Sequence, residues 1–263
     1  GPVGPVGPDT VDAAPVGPVG PETVEAAPVG PVGPVLPVGP VLPAVPAVPD
    51  GPVGPVGPVA PPPPPSTSPT IAADNPFGSG NSYLFNGLSQ KIVIDASSLT
   101  LGTDWTIEWF QKETVPNPFP RPFMTSGGWG VSIEGAKTSA NFYAWMSGVN
   151  NPGSVDISSG WHHFAISTIS GSTQVYMDGV ALGSPFSTSP YTFTGENLQI
   201  GAKPSGMDSE SFGGYLTDFR WTEGVGVYTG NFILPSSSLQ TTQSAGTNIS
   251  AITDGQVKLL VKP

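Results

Sequence analysis

Glu108 and Glu113, in the stretch WTIEWFQKE, come closest to a pair of acids that could break a glycosidic bond. That reaction needs two carboxyl groups converging on one bond, one as the acid and one as base or nucleophile. A spacing of five along a strand sends the two side chains to opposite faces, so this pair does not converge. Asp208 and Glu210 sit in a Gly-containing loop with no third acid in phase. His162 and His163 are the only histidines. Being adjacent, they point to opposite faces of a strand and cannot share a metal ion; a structural place beside Trp161 accounts for them. No serine has the context of a nucleophile elbow. Asp178, Asp208 and Asp218 are the hard oxygen donors a calcium ion would take. Asp178, however, belongs to an Asp-Gly turn, and Asp218 suits the anchoring of a strand. No catalytic residue, metal ligand or cofactor is therefore expected.

Binding residues are a different matter. Trp129, Tyr143 and Trp145 could face a sugar or fill a core, since both uses need a large aromatic surface. The segment PNPFPRP, residues 116–122, makes a proline-stiffened loop that offers Phe119 and Arg121 as contacts. Net charge is −11, with −5 in residues 1–70 and −6 in the remainder. Neither part has the basic patch that phosphate binding requires, so nucleic acid is not expected as a partner and anionic membrane surfaces are disfavoured. No apolar run reaches the ~18 residues of a membrane span, so membrane insertion is not expected. The absence of cysteine rules out disulfides and thiolate sites, and it fits either redox environment. The opening Gly-Pro-Val, with no methionine or basic leader, suggests processing or residues upstream.

The elements that must position these residues are strands. From Ile71 onward the chain runs in short alternating stretches broken by Gly, Ser and Asn, the texture of an all-β sandwich. Trp105, Ile107 and Trp109 alternate with Thr106 and Glu108. Ser170-Gly171 and Asp178-Gly179 fall between apolar alternations, where they predict tight hairpins. NFYAWMSG, ENLQIGAK, GYLTDFRWT and QVKLLVK supply further strands.

Residues 1–70 have another character. They hold 23 of the 34 prolines and no Phe, Trp, Tyr, Met, Lys, Arg or His, so they cannot build a core. Two 13-residue units, GPVGPDTVDAAPV and GPVGPETVEAAPV, open the chain. From Pro28 to Pro61 proline recurs at every third position, twelve times. Glycine does not keep that period, and a collagen triple helix demands it without interruption. The period of three instead predicts a polyproline II arm of roughly 105 Å over residues 28–61, at ~3.1 Å per residue. One edge of that arm carries Val29, Val32, Val35, Val38 and Val41, and another carries Leu36, Leu42, Val45 and Val48. This apolar ridge suits burial along a groove of another protein. The boundary to the folded domain, 71–263, falls at about residue 71.

Several blocks carry a resemblance. SYLFNGLSQKIVI, LGTDWTIEWFQK, WHHFAISTISGSTQVYMDGVALG, NLQIGAK and GGYLTDFRWTEGVGVYTGNFILP resemble, in order, laminin-G-like domains of the concanavalin A-like superfamily, over about residues 81–263. The last block is similar to versions in virion proteins of tailed phages and large algal DNA viruses. The resemblance implies a jelly-roll sandwich of two antiparallel sheets used for carbohydrate or protein recognition. Some members of that superfamily are glycanases and others bind calcium. The expected function is a non-enzymatic structural virion protein, such as a minor capsid, cement or spike-associated protein. Its arm would dock on other capsid or virion proteins while its head packs on or decorates the particle. The alternative is a glycan-binding adhesin or fibre head on a proline-rich stalk, at an extracellular or cell surface.

Overall fold

The computed structural model describes residues 66–204 and 210–263. The ridge residues Val29 to Val48 and Asp208 lie outside them. The chain divides into two units, Gly1–Ala60 and Pro61–Pro263.

Within the described residues the second unit is built from strands, with one short 3₁₀ turn at Lys137–Ser139. A large sheet runs in the order β1 (Thr70–Ala72), β2 (Ser82–Asn86), β15 (Gly213–Glu223), β5 (Trp105–Val115), β10 (His162–Ile169), β11 (Ser172–Met177) and β12 (Val180–Ser187). Strand β16 (Val257–Val261) pairs with the far half of β15. The second sheet has six strands. They are β3 (Ile92–Asp95), β14 (Asn197–Ile200), β6 (Phe123–Thr125), β7 (Gly130–Glu134), β8 (Ala140–Trp145) and β9 (Val149–Val155). A two-stranded ribbon of β4 (Thr100–Leu101) and β13 (Tyr191–Thr192) completes the set. All strand pairs are antiparallel. This is the expected jelly-roll sandwich.

Alternation decides what fills it. On β5 the residues Trp105, Ile107 and Trp109 enter the space between the sheets, where they meet Phe123, Val131, Phe142, Phe164, Phe219 and Trp221. Trp109 lies nearly parallel to Phe164, with ring centroids 5.4 Å apart, and edge-on to Phe123 at 5.2 Å. Both predicted hairpins form. Ser170 and Gly171 join β10 to β11, and Asp178 and Gly179 join β11 to β12, all four with positive φ. Such two-residue turns twist in the sense of the strands they connect. Gly179 has a second reason to be glycine, because a Cβ there would lie 2.2 Å from the Phe232 carbonyl oxygen.

The outer face of the large sheet is also covered. Residues 225–256 fold across it and bury Val227, Tyr228, Phe232 and Ile252 against Ala165 and Tyr176. Asp218 pins this cover: one carboxylate oxygen accepts from Ser238 Oγ and from the Leu239 amide at 2.7 Å. Asp218 stands at an irregularity in the β15–β5 ladder with φ 53°, which turns its side chain toward the cover.

Candidate functional site

The outer face of the six-stranded sheet gathers the polar and aromatic side chains best suited to a ligand. Strand β8 alternates strictly. Ala140, Phe142 and Ala144 enter the core, while Asn141, Tyr143 and Trp145 stand half-buried on the other side. Strand β7 does the same, burying Val131 and Ile133 inward and turning Ser132 and Glu134 out. Register sets Ser132 opposite Tyr143, Glu134 opposite Asn141 and Gly130 opposite Trp145, while Val149 of β9 stands opposite Trp145 on the other side.

Arg121 joins these residues from the proline-stiffened loop that leads into β6. Its guanidinium lies over the Trp145 ring, 5.3 Å from the centroid. It is 3.5 Å from Glu134 through Nη1 and 3.4 Å from Glu210 through Nη2. Lys203 Nζ closes on Glu210 at 2.9 Å. Trp145 Nε1 donates to Ser132 Oγ at 3.2 Å, and Ser132 donates to Glu134 at 2.7 Å. Indole, hydroxyl, carboxylate and guanidinium thus form a closed ring of contacts on one sheet face. Arg121 is nine-tenths buried, with its Nε unpaired among the described residues. Phe119, two residues earlier, does not share that burial and is 46 % exposed.

The electrostatics here keep the Glu210 carboxyl ionised. Burial pushes the Glu210 carboxyl up, but Lys203 and Arg121 outweigh it and hold the group below its ordinary range. A glycosidase acid needs the reverse, a carboxyl raised so that it carries a proton near neutrality. Glu113 does have a raised value. Burial pushes it to about 7, against the pull of Lys137 at 3.7 Å, but its side chain is only 3 % exposed. No substrate reaches it. Glu108 and Glu113 do lie on opposite faces of β5, as their spacing requires.

Glu108 lies beneath the cover of residues 225–256. One oxygen takes Arg220 Nε and Nη2 at 2.9 and 2.6 Å, and the other takes Tyr228 Oη at 2.6 Å and His163 Nε2 at 3.1 Å. Burial alone would raise this carboxyl, yet Arg220, His163 and Tyr228 bring it down to about 2. The network is sealed from solvent and serves the fold. His162 diverges from His163 to pair with Asp178 at 2.8 Å, which raises its pKa. A cavity of about 320 Å³ adjoins His163, lined by Phe77, Phe110, Trp161 and Pro235. It is aromatic and carries no charged side chain. Among the described residues no group of three or more His, Asp or Glu converges as a metal site.

Of the aromatics named from the sequence, Trp129 is a core residue, with its ring 5.7 Å from that of Trp105. Tyr143 and Trp145 are at the surface site. Alternation in NFYAW was enough to set them on one face with Asn141. Nothing local in the sequence signals that Glu134 and Glu210 meet across Arg121, because they are brought together by three separate segments.

Comparison with known proteins agrees with this architecture. Residues 65–225 match the laminin-G family model described as the concanavalin A-like lectin/glucanases superfamily. No curated protein matches the sequence. Among solved structures, domain 4 of an extracellular arabinanase from Geobacillus stearothermophilus, in complex with arabinotriose, is 16 % identical. It has a TM-score of 0.44, covering 57 % of this chain and 73 % of that one. A heptameric SAP-like pentraxin from Limulus polyphemus is 16 % identical with a TM-score of 0.39, covering 50 % and 68 %. Domains LG4-5 of the mouse laminin alpha1 chain are 15 % identical with a TM-score of 0.41, covering 53 % and 40 %. The matched span ends at the start of the cover, so the segment that seals the outer face of the large sheet lies beyond it.

Proposed function

This chain belongs to the concanavalin A-like lectin/glucanases superfamily, and we propose that it is a non-enzymatic carbohydrate-recognition head carried on a proline-rich arm at an extracellular or particle surface. The observation that carries this reading is the outer face of the six-stranded sheet. There Tyr143 and Trp145 stay partly exposed beside Glu134, Asn141 and Glu210, with the buried Arg121 and Ser132 holding the indole and the carboxylates in place. Sugars present apolar ring faces and a rim of hydroxyls, and half-buried aromatics beside hydrogen-bonding groups answer both. Residues 225–256 cover the outer face of the large sheet and bury Ala165 and Tyr176 there. The burial of Glu113, whose carboxyl is raised, supports binding over hydrolysis. On an array of oligosaccharides the full chain retains a defined set of glycans, and Trp145→Ala loses at least about tenfold in affinity, as removal of a contacting aromatic should. Unchanged retention by that variant would reject the site.

A finer reading sets this head on a virion, with the arm docked along capsid neighbours. The proline period of residues 28–61 supports it, because a stiff chain loses little entropy on binding while its Val and Leu ridge is buried at ~25 cal/mol per Å². The resemblance of the block ending in VYTGNF to virion proteins supports it too. The partner-binding residues are then Val29, Val32, Val35, Leu36, Val38, Val41, Leu42, Val45 and Val48, with Phe119 as a contact from the head. Deleting residues 28–61 should leave the head folded and abolish incorporation into particles. Normal incorporation of the shortened chain would exclude the docking role.

A further inference from the structure

Beside the cover of residues 225–256, the outer face of the large sheet keeps an opening. Phe110 of β5 and His163 of β10, paired across the ladder, form the buried end of a cavity of about 320 Å³. Its walls come from Pro76 and Phe77, after β1, and from Leu234, Pro235 and Ser236 of the cover. Trp161, just before β10, completes the lining. Trp161, Phe77, Leu234 and Pro235 are half-buried and Ser236 is exposed, so the cavity opens to solvent as a cleft. No Asp, Glu, Lys or Arg lines it. Its rings are held in place. Phe77 stands edge-on to Phe110 at 5.0 Å, and the Trp161 indole donates to Asp74 at 2.8 Å, which is itself paired with Lys112. The wall at residues 234–236 lies beyond the span that matches the family model, so the cleft is not made by that span alone.

A fixed, uncharged, aromatic-lined cleft suits an extended proline-rich segment. Pyrrolidine rings lie flat on aromatic faces, and a chain already held by proline loses little entropy on binding. This chain carries such a segment. Residues 28–61 place proline at every third position, hold no aromatic residue and have Asp50 as their sole charge. At ~3.1 Å per residue they reach roughly 105 Å, against about 36 Å for the 11-residue strands β5 and β15. That reach serves a neighbouring molecule.

We propose that the cleft between Phe77, Trp161 and Pro235 takes the proline-rich segment, residues 28–61, of a second copy of this chain. Prolines stack on Trp161 and Phe77, and the valines between them pack on Leu234 and Pro235. Ser236 at the rim supplies a hydroxyl donor for the carbonyls of a segment whose prolines have no N–H. The inference rests on the docking reading of the arm and is independent of the sugar site. Such a contact is head-to-tail, so it links copies into rings or open chains.

Sedimentation of the full chain at rising concentration should show association beyond the monomer by about 100 µM, the strength of a small contact. A synthetic peptide of residues 28–61, added in excess, should dissolve it. On the dilute ¹⁵N-labelled chain the same peptide should move the Trp161 indole signal and not that of Trp145. Trp161→Ala, checked for folding by its melting temperature, should weaken the association at least about tenfold. If that variant does not fold, Phe77→Leu, which removes a ring and keeps apolar bulk, takes its place. A chain that stays monomeric would overturn the assignment to a second copy; a peptide that still moved Trp161 would then give the cleft to proline-rich segments of another protein. Association unchanged in the folded variant, or equal binding by a peptide with its prolines replaced by alanine, would overturn proline recognition at the cleft. A monomeric chain that still needed residues 28–61 for incorporation would leave the docking reading standing.

Discussion

Glu108 and Glu210 are both carboxylates facing arginines, and their surroundings give them opposite uses. Glu108 is wholly buried, with four hydrogen bonds from Arg220, His163 and Tyr228 saturating both oxygens. Nothing remains for a ligand. Removing its charge strands the Arg220 guanidinium, which is 1 % exposed. Glu108→Gln should therefore cost about 3–5 kcal/mol of unfolding free energy, measured by denaturant titration, while leaving glycan binding intact at temperatures where the variant is folded. The pH dependence has a definite sign. A carboxyl held at about 2 contributes stability above its unfolded value near 4.3, and that contribution is lost as pH falls toward 2. Glu210 is 13 % exposed and meets Lys203 and Arg121 through Oε1. The sequence shows neither role. Both acids look alike in their local contexts, and their partners stand dozens of residues away.

At the scale of elements, alternation and turn chemistry were legible. The period of two in DWTIEWF assigns the three core residues of β5, and the Ser-Gly and Asp-Gly pairs mark both hairpins, because a type I′ turn needs positive φ twice. Strands β8, β14, β15 and β16 also lie where their alternations suggested. The far end of β5 was less legible. Glu113 continues the inward face of Trp105, Ile107 and Trp109, where an acid is costly, and Lys137 from the 3₁₀ turn before β8 compensates. Burial raises this carboxyl to about 7 from an ordinary value near 4.5. Its ionisation thus opposes folding: the cost is absent below about pH 4.5 and complete above pH 7. Glu113→Gln should stabilise the protein by about 1–3 kcal/mol at pH 8 and change little at pH 4, as read from thermal unfolding at the two values. Equal effects at both pH values would show that the carboxyl is not buried as described.

At the scale of the whole molecule, the two outer faces of the sandwich are treated differently. The segment from Val225 to Gln256 converts the outer face of the large sheet into a second core and fills it with the Glu108 network. The proposed binding site lies on the outer face of the six-stranded sheet. Composition alone predicts a boundary at about residue 71, since a segment with no aromatic residue cannot form a core. Which sheet face would be left open depends on how a late segment packs, and no local pattern announces it. The six tryptophans allow this division to be tested directly. Trp105, Trp109, Trp129 and Trp221 are buried in the core, Trp145 stands on the proposed binding face, and Trp161 borders the cavity on the opposite side. Titration of the ¹⁵N-labelled full chain with its best-retained oligosaccharide, followed at the six indole N–H signals, should move Trp145 and leave Trp161 and the core signals in place. Movement of Trp161 with a still Trp145 would contradict the account.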